Sequence, residues 1–152
     1  MKGTVECKVY NEDISELIKN ISGDILYLDP PYNARQYCTN YHLLETIARY
    51  DNPKIKGKTG LRDYVDQKSV FCNKGKVADA FSNLINNARF KYIFLSYNNE
   101  GLMSFETIEK IMRKYGKYKV YMQQYRRFKA DNARDAKSDS TIEYLHCLVK
   151  DI

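Results

Sequence analysis

Two short apolar runs, ILYLD over residues 25–29 and YIFLSY over residues 92–97, constrain the fold of this chain more than any other feature. Each is too short for a helix, is almost continuously apolar, and ends in a polar turn, the pattern of a buried parallel strand. Helical patterns precede both. Asp13-Ile14-Ser15-Glu16 reads as a D-x-x-E capping box, with Ile14, Leu17, Ile18 and Ile21 at helical spacing until Gly23 and Asp24 end the helix. Before the second run, Val77, Ala80, Phe81, Leu84, Ile85 and Ala88 share one helical face. Residues 4–10, TVECKVY, alternate and predict a further strand, making strand, helix and strand 25–29 a βαβ unit.

The remaining pattern extends this plan. Residues 41–50 predict a short helix with Leu44, Ile47 and Ala48 inward, and residues 51–75 an irregular basic surface loop. NNEG (98–101) is a turn, and Ser104 caps a helix carrying Phe105, Ile108, Met112 and Tyr115 on one stripe. Two strands, 118–128 and 143–150, close the chain around a polar loop. The expectation is one α/β domain over residues 1–152, with a parallel sheet ending in an antiparallel hairpin. Ligands in open α/β sheets bind beyond the carboxyl ends of the strands, where Asp29–Tyr32 and Ser96–Asn99 both fall.

Composition narrows the class. No apolar run approaches the roughly 20 residues of a membrane span, and the N-terminus lacks a signal-peptide core, so a cytoplasmic protein with no membrane partner is expected. Cys7, Cys38, Cys72 and Cys147 form no CxxC pair, and they read as reduced, mostly buried thiols; no metal site is indicated. The net charge is +6, and there are 14 tyrosines but no tryptophan. Lys54, Lys56, Lys58 and Arg62 concentrate in one loop, and Arg126 and Arg127 in a second basic region. Basic residues interleaved with tyrosines suit phosphate contact beside base stacking, and these six are the candidate phosphate contacts.

The stretch Asp29-Pro30-Pro31-Tyr32 carries the chemistry. Two prolines stiffen the turn and remove its N–H donors. Asp29 offers an acceptor-only carboxylate, and the Pro30 carbonyl offers a second acceptor beside it. Two acceptors side by side match an exocyclic amino group with its two donors, and Tyr32 adds a flat face for a heterocycle. An aryl amine is a poor nucleophile because its lone pair is delocalised into the ring. Accepting both hydrogens favours a more tetrahedral nitrogen and frees that pair, by positioning and electrostatics alone.

With DPPY, the segments DILYLDPPYNARQYCTNYHLLETIARYD, KGKTGLR and FLSYNNEGLMS resemble the Dam-like DNA adenine-N6 methyltransferases, over residues 8–150 or so. The resemblance implies a Rossmann-like class I methyltransferase fold and methyl transfer from S-adenosylmethionine to adenine N6 in double-stranded DNA, in a Dam-like or restriction-modification role. It implies that Asp29, Pro30, Pro31 and Tyr32 form the catalytic motif, with Tyr32 stacked on a flipped base. It also places Asn11 and Asp13, together with Asp29, at the cofactor. Two roles compete for Asp13, cofactor contact and helix cap. Tyr37, Asn40, Tyr41 and His42 follow the motif and could line the base or DNA path, although a structural hydrogen bond suits His42 better. His146 reads as core or surface. Asp before the prolines favours adenine over cytosine N4, where Ser is commoner, and over glutamine, where Asn is.

One part of the family pattern has no counterpart here. Its glycine-rich F-x-G-x-G segment approaches the methionine end of the cofactor, and this chain contains no G-x-G. In that group the glycine segment, a lysine-bearing motif and the target-recognition region all precede DPPY. The expectation is therefore the C-terminal part of a methyltransferase catalytic domain, lacking the N-terminal cofactor-loop strands and completed by a second polypeptide or a second copy. Without the intervening strands, strands 4–10 and 25–29 should expose edges and apolar faces. The alternative is a non-catalytic remnant that binds DNA or a partner.

Overall fold

The structure is a computed structural model and describes residues 6–126 and 140–151, the Arg126 side chain excepted. Four strands form one mixed sheet in the order β1-β2-β4-β3, with β1 Ser22–Leu28, β2 Arg89–Asn98, β3 Gly116–Arg126 and β4 Ser140–Lys150. β1 and β2 are parallel, with Ile25 beside Tyr92 and Leu28 beside Leu95. β4 runs antiparallel to both β2 and β3, which gives the expected hairpin. Helices α1 (Ile14–Leu17), α2 (Tyr37–Asn40), α3 (His42–Arg49), α4 (Val77–Asn87) and α5 (Phe105–Met112) complete the α/β arrangement.

The core lies on one face of the sheet. Leu26 and Leu28 of β1, Ile93 and Leu95 of β2 and Leu148 of β4 pack with Ile18, Phe81, Leu84, Ile85, Ile108 and Met112. Side chains alternate across a strand, so the intervening residues form the opposite face. There Ile25 and Tyr27 are 63% and 61% exposed, and Tyr92, Leu145 and Val149 are 37% exposed. The apolar run 25–29 is thus a parallel strand, but it is covered on one face only, contrary to the two-sided burial its composition predicts. β1 is also an edge, because residues 6–10 form no strand. Among the described residues the βαβ unit expected at the N-terminus is not made, residues 4 and 5 of its first strand lying outside them; an extended segment gains ladder bonds only from a neighbouring strand, and no described strand is adjacent.

The helices follow their sequence signals unevenly. Asp13 caps α1 by accepting from the Ser15 N–H at 2.8 Å, but Glu16 pairs with Lys19 and does not complete a capping box. α4 buries Val77, Phe81, Leu84 and Ile85, as its period predicts. At its C-terminal end the Lys150 ammonium donates to the carbonyls of Ile85, Asn86 and Ala88 at 2.7–2.9 Å. Ser104 caps α5 through the Thr107 N–H. Gly101 is required where it stands, because a Cβ there would lie 2.1 Å from the buried Tyr97 ring. α3 reverses expectation: Leu44 and Ile47 are 61% and 63% exposed, and Ala48 is exposed too. Its apolar period is real, but no described element covers that side. Only Cys72 among the four cysteines is buried, Cys7 being exposed and Cys38 and Cys147 half-buried. No helix among the described residues is long and apolar enough to cross a membrane.

Candidate active site

Parallel pairing brings the carboxyl ends of β1 and β2 to the same edge of the sheet, and the polar turns predicted to matter emerge there. The loop after β1 is tied down by the Tyr32 carbonyl, which accepts from the Leu102 N–H at 2.9 Å. Asn98 and Asn99 serve structure. The Asn98 side-chain oxygen accepts from the Glu100 N–H, and that of Asn99 accepts from the Thr141 hydroxyl and the Ile142 N–H. Tyr97 is buried, with its hydroxyl accepting from the Met103 N–H at 3.3 Å. These contacts fix the strand ends beside Asp29.

A cleft of about 890 Å³ opens at this edge and is walled by Asn11, Asp13, Asp29, Pro30, Pro31 and Tyr37, with Leu28, Phe71, Phe81 and Leu84 among its apolar residues. Its size falls within the range of small-molecule sites, roughly 300–1,000 Å³. Asp29 is exposed in it, and neither its carboxylate nor the Pro30 carbonyl takes a hydrogen bond among the described residues. Both acceptors are therefore available to a ligand. Asn11 and Asp13 reach the same cleft as Asp29, although one Asp13 oxygen is already used in the helix cap.

The other wall comes from a stripe that periodicity could have revealed. Tyr37, Tyr41, Glu45 and Arg49 recur every four residues through α2 and α3, and all four line the cleft. The Tyr37 and Tyr41 rings stack with centroids 5.7 Å apart. Burial raises the Tyr37 pKa, assisted by Tyr41 and by the Asp29 carboxylate, so the hydroxyl stays protonated beside that charge. Gln36 holds this wall in place: its side-chain amide donates to the Ser69 carbonyl at 3.1 Å and accepts from the Ser69 N–H at 2.8 Å. The Cys72 thiol donates to the Arg35 carbonyl at 3.4 Å, a third tie between the same two segments. Sequence reasoning missed Glu45, Arg49, Gln36 and Ser69 because their pairing joins residues distant along the chain or faces a helix side expected to be outward.

Residues 1–111 match the sequence profile of the D12 class N6 adenine-specific DNA methyltransferases. The chain belongs to that family. It is 58% identical over 145 residues to the type II methyltransferase M.NlaIII of Neisseria lactamica, which covers 94% of this chain but 43% of the relative. It is 50% identical over 148 residues to the type II methyltransferase M.FokI of Planomicrobium okeanokoites, covering 95% of this chain and 23% of the relative. The modification methylase StsI of Streptococcus sanguinis is 42% identical over 128 residues, covering 82% and 20% respectively. The chain thus spans less than half the length of these curated relatives. No solved structure matches it.

This family member places its other predicted residues less uniformly. Tyr32 is 42% exposed, and its ring is not among the walls of the cleft; Asn40 and His42 are not among them either. The His42 carbonyl accepts from the Thr46 hydroxyl. Lys54, Lys56 and Lys58 are exposed, the last two on a tight turn closed by reciprocal backbone bonds between Lys56 and Leu61, with Gly57 and Gly60 at positive φ. Arg62 is not available as a phosphate contact. It is 6% exposed and grips both carboxylate oxygens of Asp51, one at 2.5 Å and the other at 3.3 Å, which lowers the Asp51 pKa. The Arg126 side chain and Arg127 lie outside the described residues, as does most of the polar loop that follows. His146 is fully buried, with Nδ1 2.7 Å from the Tyr118 hydroxyl.

Proposed function

We propose that the chain carries the amine-holding part of a site that methylates adenine N6 in duplex DNA from S-adenosylmethionine, in the modification role of a restriction-modification pair. The observation that carries this reading is the pair of unclaimed acceptors, the Asp29 carboxylate and the Pro30 carbonyl, on the wall of a cleft at the carboxyl end of β1. A flipped adenine would present its two N6 hydrogens to that pair, and the stacked Tyr37 and Tyr41 rings give the base an aromatic wall. Holding both hydrogens makes the nitrogen lone pair available for attack, and Asp29 need not remove a proton beforehand. We place the sheet as the C-terminal half of a Rossmann-like class I methyltransferase, a reading favoured by the β1-β2-β4-β3 order with one parallel and two antiparallel pairings.

The cleft fits the nucleoside end of the cofactor. Asn11 and Asp13 supply polar groups over a floor that includes Phe71, Phe81 and Leu84. S-adenosylmethionine supplies an electrophilic methyl group when bound. No glycine lines the cleft, so nothing in the described structure lets backbone approach the methionine end closely. Completion by a further polypeptide segment is consistent with the unmatched 57% of the N. lactamica relative, the uncovered sheet face and the unpaired β1 edge.

The test is a calorimetric titration of S-adenosylmethionine into the chain alone and into the chain mixed with the unmatched segment of that relative. The reading predicts stoichiometric binding in the mixture, weakened by Asp13→Ala, and little or none to the chain alone. A mixture that associates but binds no cofactor would overturn it.

A further inference from the structure

Tyr50 is the most exposed aromatic residue described, at 94%, and its backbone is unusual for a tyrosine. It caps the C-terminal end of α3 in the left-handed region, φ 50° and ψ 37°, and Asn52 two residues on also has positive φ, at 45°. Glycine or asparagine usually takes such a position, because an L side chain is strained there. The strain is held from below. Asp51, between the two, is gripped by the buried Arg62 guanidinium, which also donates to the Thr46 hydroxyl of α3 at 3.4 Å. A pinned backbone therefore supports a ring that touches almost nothing. The next basic residues, Lys54, Lys56 and Lys58, are exposed and have no ion-pair partner among the described residues.

We infer that Tyr50 is an aromatic contact to duplex DNA, stacking or wedging against a base a few steps from the target while the lysines that follow it in the chain hold phosphates. This rests on the DNA-methylating reading above and adds a residue to it. The exposed lysines that follow Tyr50 in the chain favour a polyanion as the occupant, and aromatic residues beside lysines are the usual means of gripping bases without reading their sequence. The geometry is commensurate. The preceding residue, Arg49, lines the cleft, and along α3 Tyr50 lies about 13 Å from Tyr41, roughly four base steps of B-DNA.

The absence of tryptophan from the chain provides a direct probe. In the Tyr50→Trp variant the only indole would sit at the proposed contact, and in a control, Tyr121→Trp, it would sit on β3, where Tyr121 is 53% exposed. Binding of a fluorescein-labelled duplex is followed by anisotropy, and indole emission is read in the same titration at low salt. The inference predicts quenching for Tyr50→Trp that salt reverses, little change for Tyr121→Trp, and about tenfold weaker duplex binding for Tyr50→Ala. Duplex binding with unchanged emission from Tyr50→Trp would overturn the contact while leaving the DNA reading intact. Emission that changes with protein concentration alone would identify Tyr50 as a packing residue and also overturn it. No duplex binding by the unsubstituted chain would overturn the contact, while the calorimetric titration with the added segment decides the DNA-methylating reading separately.

Discussion

At the scale of single residues, availability separates the candidate functional groups from the structural ones. Asp29 and the Pro30 carbonyl are unclaimed acceptors in a cleft, whereas the equally polar Asn98, Asn99 and Arg62 are spent on holding turns and loops together. His146 shows the same economy in the core. Burial pushes its pKa down from 6.5 to about 4, so the imidazole is neutral in the fold. Between those values the unfolded chain binds the proton and the folded chain does not. The stabilising contribution is therefore complete above about pH 6.5 and is lost as the pH falls through about 4. At about 1.4 kcal/mol per unit, the loss amounts to about 3 kcal/mol. Urea unfolding between pH 7.5 and 4 should show it as a falling midpoint, and His146→Gln should flatten that dependence.

At the scale of elements, two tethers make local predictions. Lys150 closes the C-terminal end of α4 with three hydrogen bonds to carbonyls, at a position where positive charge also suits the helix dipole. Lys150→Met should cost about 1–3 kcal/mol in chemical denaturation, because three carbonyls, two of them on the buried Ile85 and Ala88, lose their donor. Gln36→Ala should lower hydrogen-exchange protection of the Ser69 amide by about tenfold, leaving protection in β2 unchanged. Elements whose pattern and packing agree were legible in advance: β2, α4, α5, the hairpin, and the meeting of Asn11, Asp13 and Asp29 at one strand edge. The burial of β1 and the inward face of α3 were not. An apolar period says which side of an element avoids water, but not whether these residues supply the cover. Arg62 was misread because charge in a basic loop does not reveal a long-range partner such as Asp51. Tyr32, by contrast, follows the motif, yet the cleft is lined by Tyr37 and Tyr41, five and nine residues further along the chain.

At the scale of the whole molecule, one covered sheet face and one largely uncovered face frame the cleft at the carboxyl ends of β1 and β2. The exposed Ile25, Tyr27, Tyr92, Leu145 and Val149 run across one sheet face from the edge of β1, unpaired among the described residues, to β4, the kind of surface that folded domains cover. Together with the unmatched length of its relatives, this surface favours the proposal of an enzyme whose amine-holding wall is here and whose remaining cofactor wall is supplied by a further segment. The most direct measurement is methyl incorporation at adenine N6 of duplex DNA by the chain combined with the unmatched segment of the N. lactamica relative, comparing Asp29→Ala with the unsubstituted chain. The account predicts methylation that falls at least about 100-fold in Asp29→Ala, with duplex affinity unchanged within about twofold. Methylation that survives the substitution, or that appears at cytosine N4, would contradict it.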